Sequence, residues 1–201
     1  MNHEPQPPKY APTQEPAHTP EHDRLHDPPR IYVASLADYV DGRLHGTWLD
    51  AAREPDAVAA DIQKMLARSP VPGAEEFAIH DFENFGYLRL GEYDQLDWVC
   101  AVARGIAEHG PAFSAWADVM DGNLDGLAHF TDNYLGDYPT LRDYATELLD
   151  DYGLDELLDR VVPESLRGYV KVDIDGYARD LELSGSVATY PHESGVWVFT
   201  G

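Results

Sequence analysis

Twelve carboxylates fall between Asp118 and Asp159: Asp118, Asp121, Asp125, Asp132, Asp137, Asp143, Glu147, Asp150, Asp151, Asp155, Glu156 and Asp159. Arg142 is the only Lys or Arg among them. Carboxylates in such number suit three kinds of chemistry: holding a cation, general acid–base work, or presenting fixed negative charge to a basic partner. For the first, Asp121-Gly122-Asn123-Leu124-Asp125-Gly126 followed by Asp132 fits the loop pattern of an EF-hand, with Asp in place of the usual final Glu. Residues 121–132 therefore carry an alternative reading as a calcium-binding acidic interaction module. Gly136 and Pro139 leave little room for an exit helix after that loop. A second near-match at Asp173-Ile174-Asp175-Gly176 has Lys171 where the first ligand belongs.

For the second, nothing marks two acids as a catalytic pair. His45 and His80-Asp81 offer general bases, but a histidine at a strand end reads first as a structural hydrogen-bonding residue. Cys100, flanked by Trp98, Val99, Ala101 and Val102, reads as a buried small apolar side chain. It is the only cysteine, so no internal disulfide is possible. There is no Gly-rich phosphate loop, no His-Glu-x-x-His and no Cys pair. The expectation is a protein that is not an enzyme and needs no cofactor or metal.

The third reading follows from charge. The 201-residue chain has a formal net charge of −23 and a pI near 4.4. Residues 91–160 hold sixteen acids against Arg104, Arg142 and Arg160. Such a surface repels nucleic acid and anionic lipid and favours basic partners. Aromatic content is 11%, so this is not the composition of an acidic disordered chain. On a helix beginning near Pro139, Asp143, Glu147, Asp150 and Asp151 lie at i, i+4, i+7 and i+8. A rise of about 1.5 Å per residue spaces them roughly 4.5–6 Å apart along the axis. Phosphates of one DNA strand repeat about every 3.4 Å, so the stripe approximates a phosphate row in sign and spacing.

The elements that must position these groups divide the chain into an arm and three modules. Residues 1–29 hold eight of the fifteen prolines and read as a disordered or polyproline-like arm, with His3, His18, His22 and His26 at no fixed spacing. Residues 30–90 read as a small antiparallel sheet with one helix. Its strands are expected at Ile31–Leu36, Leu44–Leu49 and Phe77–Phe82, and the helix begins at Pro55 with Val58, Ile62, Met65 and Leu66 inward. Residues 91–133 read as a helical module, with helices around Tyr93–Ala107 and Phe113–Met120 and a short third from Leu124. Residues 134–201 read as an α+β module. The helix from Pro139 is followed by a helical stretch at Leu154–Val161, a strand at Tyr169–Asp173, a helix at Tyr177–Leu183, and a hairpin of Ser186–Tyr190 with Val196–Phe199. No apolar run approaches a membrane-spanning length and no signal peptide opens the chain, so a cytoplasmic location is expected.

Four blocks resemble the ArdA-type antirestriction proteins. They are Arg30-Ile31-Tyr32-Val33-Ala34-Ser35-Leu36-Ala37-Asp38-Tyr39 with Gly42–Trp48; Glu76-Phe77-Ala78-Ile79-His80-Asp81-Phe82 with Leu88-Arg89-Leu90; Tyr134–Asp150; and Ile174–Glu182. The likeness spans about residues 30–199, and Leu154–Gly168 is its least familiar stretch. The resemblance implies an elongated, three-part, acidic homodimer that mimics B-form DNA. Such proteins occupy the DNA-binding groove of type I restriction-modification enzymes, block restriction and often modification, and travel on mobile genetic elements. It implies no direct nucleic-acid or membrane partner. It also places the dimer contact near Tyr134, Leu135, Tyr138 and Tyr144.

Overall fold

The computed structural model describes residues 27–201. The expectations for the arm and its histidines lie outside the described residues, except for Asp27–Pro29. Pro29 is already part of the fold: it is buried, and its carbonyl accepts a hydrogen bond from the Ala51 amide at 2.9 Å.

The architecture is α+β, with two small antiparallel sheets and ten helices among the described residues. Strand β1 (Arg30–Ser35) lies between β2 (Gly46–Asp50) and β3 (Phe77–Glu83). Alternation sends Ile31 and Val33 inward, where Val58, Ile62, Met65 and Leu66 of α2 (Pro55–Leu66) also lie in the core. Pro55 opens α2 at a position where its missing N–H costs nothing.

Two boundaries differ from expectation. Leu36 does not end the first strand but begins a short helix, α1 (Leu36–Val40), because the Ser35 hydroxyl caps it by accepting from the Asp38 amide. The second strand starts at Gly46, and Leu44 is left in an exposed connection.

Helix α3 (Leu96–His109) packs on α4 (Ala112–Met120). Gly105 is what allows the approach, since a Cβ there would lie 2.1 Å from the Phe113 ring. The expected short third helix is two pieces, α5 (Leu124–Leu127) and α6 (Phe130–Asn133). Strand β4 (Tyr134–Tyr138) then pairs with β6 (Gly195–Thr200), which also pairs with β5 (Val187–His192). The β5–β6 hairpin is close to expectation. Strand β4 was not foreseen, and its place is set by its distant partner β6.

The helix expected from Pro139 is α7 (Leu141–Asp151). Pro139 stands outside it, and Thr140 is the cap, accepting from the Asp143 amide. Helix α8 (Leu154–Val161) matches expectation, and α9 (Glu164–Arg167) was not foreseen. The strand expected at Tyr169–Asp173 does not form: these residues pair with no strand, and Tyr169 is 86% exposed. Helix α10 (Ile174–Leu183) starts three residues earlier than read, because the Asp173 carboxylate caps it at the Gly176 amide (2.9 Å).

One buried cluster runs from Ile31 and Val58 through Val99, Val102 and Trp116 to Trp197 and Phe199. Trp116 of α4 stacks on Phe199 of β6 with centroids 5.8 Å apart, and Phe130 stacks on Tyr134 at 5.0 Å. Such pairs add about 0.5–1.5 kcal/mol each beyond area burial. The helices between the two sheets therefore share a continuous core with both. That gives the first part of the acidic segment, from α4 to β4, a packed scaffold.

Candidate protein-binding surface

All twelve carboxylates between Asp118 and Asp159 are exposed. Each is held by an element whose other side is apolar. Helix α4 buries Ala112–Ala117 and turns Asp118 outward; its last turn ends at Asp121, which takes a left-handed conformation (φ 44°). Asp118 and Asp121 line a surface hollow with Asp94, Arg89 and Tyr93. Asp125 and Asp132 sit in the first turns of α5 and α6, where the helix dipole favours negative charge.

The EF-hand reading is overturned here. Residues 124–127 and 130–133 are helical, so 121–132 does not form a continuous twelve-residue loop. The Asn123 side chain caps α5 by accepting from the Gly126 amide at 3.2 Å. Among the described residues, no three acidic, His or Cys side chains converge as a metal site would require.

Helix α7 carries Asp143 in its first turn and Glu147, Asp150 and Asp151 farther along. Asp143 also accepts from the Thr140 hydroxyl at 2.5 Å, and Glu147 from the Tyr138 hydroxyl at 3.1 Å. Asp118, Asp121, Asp125, Asp143, Glu147, Asp150, Asp151 and Glu156 make no ion pair with any described residue. Arg142, the one base within the run, pairs with Asp175 of α10 instead.

The remaining four are partnered. Asp132 lies 4.0 Å from His129, and Asp137 takes a hydrogen bond from His192 Nε2 at 2.9 Å, with the His192 ring stacked on Trp197. Arg167, outside the run, reaches Asp159 at 3.0 Å and Asp155 at 3.1 Å. Sequence spacing gave no signal for Arg167, because the contact depends on the turn between α8 and α9.

Tyrosines nearby register the negative field. Burial raises the Tyr134, Tyr138, Tyr144 and Tyr190 hydroxyls above the ordinary range. Nearby carboxylates push in the same direction: Asp137 on Tyr134, Glu147 on Tyr138 and Tyr144, and Asp118 on Tyr190. Tyr134 packs into the core against Phe130 and Phe199, while Leu135 faces out at a bulge beside Gly136 (φ 139°). Tyr138 and Tyr144 meet edge to face at 5.3 Å.

The candidate bases are occupied structurally. His45 Nε2 is 2.8 Å from the Met65 carbonyl, and His80 packs edge-on against Tyr39. Cys100 is fully buried, and burial pushes its thiol up to about 11, away from nucleophilic use at neutral pH.

Residues 31–195 match the family model described as antirestriction protein (ArdA). The chain belongs to the ArdA antirestriction family. The match takes in the acidic run, the first sheet from Ile31 onward, and β4 and β5 of the second. No curated protein shows significant similarity to the chain. Antirestriction is thus the activity attached to the family, and the exposed acids are the feature of this ArdA-family chain that calls for a physical account. No described helix is long and apolar enough to cross a membrane.

Proposed function

We propose that this ArdA-family chain inhibits type I restriction-modification enzymes by occupying their DNA-binding groove as a mimic of B-form DNA. The observation that carries this is a run of exposed carboxylates from α4 to α8, most without an ion pair to any described residue. Unpaired like charge on a folded surface costs stability. A partner's Lys and Arg side chains, placed to meet phosphates, would relieve that repulsion. Exposed ion pairs contribute roughly 0–1 kcal/mol each, so affinity arises from many acting together.

In this reading Asp118, Asp121, Asp125, Asp143, Glu147, Asp150, Asp151 and Glu156 are the free phosphate equivalents. Asp132, Asp137, Asp155 and Asp159 join them after giving up or sharing a partner. We also propose a homodimer formed by Tyr134, Leu135 and Tyr138 of β4 with Tyr144 of α7. β4 is an edge of its sheet, and an edge strand is open to pairing. The chain needs no cofactor, carries out no reaction, and works in the cytoplasm, where its target acts on DNA. The three modules 30–90, 91–133 and 134–201 each contribute a part of the anionic surface.

The test is a competition titration of a purified type I enzyme bound to labelled duplex DNA. The expected result is competitive displacement that weakens as salt rises. Inhibition that leaves DNA bound, or that ignores salt, would count against the mimic.

A further inference from the structure

Tyr87 lies in the connection between β3 and α3 and meets two other parts of the fold at once. Its amide donates to the Ser114 hydroxyl of α4 at 3.0 Å. Its own hydroxyl donates to the Pro191 carbonyl of β5. Its ring meets Tyr190 of β5 and Trp197 of β6 edge to face, with centroids 6.1 and 5.8 Å apart. The residues around it are suited to this contact. Asn84 and Gly86 take left-handed conformations (φ 65° and 57°), and a Cβ on Gly86 would lie 2.4 Å from the Ser114 hydroxyl oxygen. Ser114 is itself buried and donates to the Pro111 carbonyl at 2.7 Å. β5 is an edge strand, and Pro191 has no N–H, so its carbonyl is the backbone group there that can bond outside the sheet.

Among the described residues the two sheets have no substantial contact strand to strand, and the helices between them carry the shared core. Tyr87 adds a direct tie from the exit of the first sheet to the second. The elements it joins also hold acids. Ser114 stands one turn before Asp118 on α4, and Trp197 stacks on His192, which holds Asp137. We propose that Tyr87 is a positioning residue for inhibition. It fixes the first sheet, α4 and the second sheet in one arrangement, so that acids on these parts meet one partner together. This role presupposes that the chain acts as a DNA mimic. Weak ion pairs sum to useful affinity only when the groups stand ready at fixed spacing, because ordering them on binding offsets the gain.

The experiment compares the full chain with Tyr87→Phe, which loses only the hydroxyl, and Tyr87→Ala, which loses the ring as well. Neither changes charge, and Tyr87 is 37% exposed, so truncation opens no sealed cavity. Circular dichroism and thermal melts set an assay temperature at which each variant is folded. Spin labels at Gln63→Cys on α2 and Leu183→Cys on α10, both exposed, report the spread of distances across the molecule by pulsed electron resonance. Labelled chain is diluted into unlabelled chain, so that only pairs within one molecule are read. Cys100 is buried and stays unlabelled. The expected result is a narrow distribution in the parent and a broad one in Tyr87→Ala, with DNA competition at least about fivefold weaker. That loss exceeds the effect of neutralising any single acid, and Tyr87→Phe should fall between. Unchanged competition in both variants overturns the proposal. So does weaker competition with an unchanged distance distribution, which would make Tyr87 a contact of the partner. If Tyr87→Ala does not fold, Tyr87→Phe decides by the same two readouts. If the parent itself fails to displace DNA, the mimic reading falls and this role with it; if the parent succeeds, only the role of Tyr87 is at stake.

Discussion

Asp38 is the one fully buried carboxylate among the described residues. Its Oδ2 accepts from the Ser69 hydroxyl at 2.6 Å, tying α1 to the turn after α2, while Oδ1 has no protein partner. Burial works to raise the Asp38 carboxyl, but the hydrogen bonds with Ser69 and Ser35, aided by His45 and Arg43, outweigh it and hold it below 3.8. A carboxyl depressed in the folded state adds stability that is present above its unfolded value and lost as pH falls through its folded value. Asp38→Asn should therefore lower Tm at neutral pH, with the deficit closing below about pH 4. Thermal melts of both proteins from neutral to acid pH check this; a deficit constant across that range would show that the charge is not what matters. The residue scale also marks a limit of the sequence. The acid run can be counted from letters alone, but its internal pairings cannot. Arg142 looks like its neutraliser and instead serves Asp175, while Arg167 arrives from beyond the run to hold Asp155 and Asp159.

At the scale of elements, the helices with regular apolar spacing and the β5–β6 hairpin were legible, because their patterns are local. Strand β4 was not. Gly136 and Pro139 read as breakers, but the glycine serves a bulge and the proline lies past the last paired residue, Tyr138. The reverse error at Tyr169–Asp173 has the same cause: an apolar stretch without a partner strand stays unpaired. Helix α7 shows what the acidic face costs. Asp143 near its N-terminus is favourable to the helix dipole, but Asp150 and Asp151 at its C-terminus oppose it, by about 0.3–1 kcal/mol each. Asp150→Asn with Asp151→Asn should thus raise stability by roughly 1 kcal/mol while weakening competition with DNA. Denaturant unfolding and the competition titration, run on the same protein, check both halves. Neutralising all of Asp143, Glu147, Asp150 and Asp151 should weaken competition at least about tenfold, whereas single substitutions should change it only a few-fold at most. A pair that loses stability would refute the dipole cost, and a block that competes as well as the parent would remove α7 from the binding surface.

For the whole molecule, the same charge acts on two equilibria with opposite sign. Folding gathers a net charge of −23 onto one scaffold, so the folded state carries more self-repulsion than the expanded chain. Added salt screens that repulsion and should raise Tm. Engagement of a basic groove draws on the same carboxylates, and screening weakens it. Neutral salt should therefore stabilise the free protein while reducing its potency, over one concentration range. A chloride series read by thermal melting and by DNA competition measures both slopes. The Debye length falls from about 30 Å at 0.01 M to about 3 Å at 1 M, so the largest changes belong at low ionic strength, where distant carboxylates still sense one another. If the acids were a merely solvated coat, Tm would rise and inhibition would not respond. If internal pairs dominated the surface, as Arg167 does locally, salt would lower Tm instead. Opposed slopes are the outcome that fits a folded scaffold whose surface is completed electrostatically by its partner.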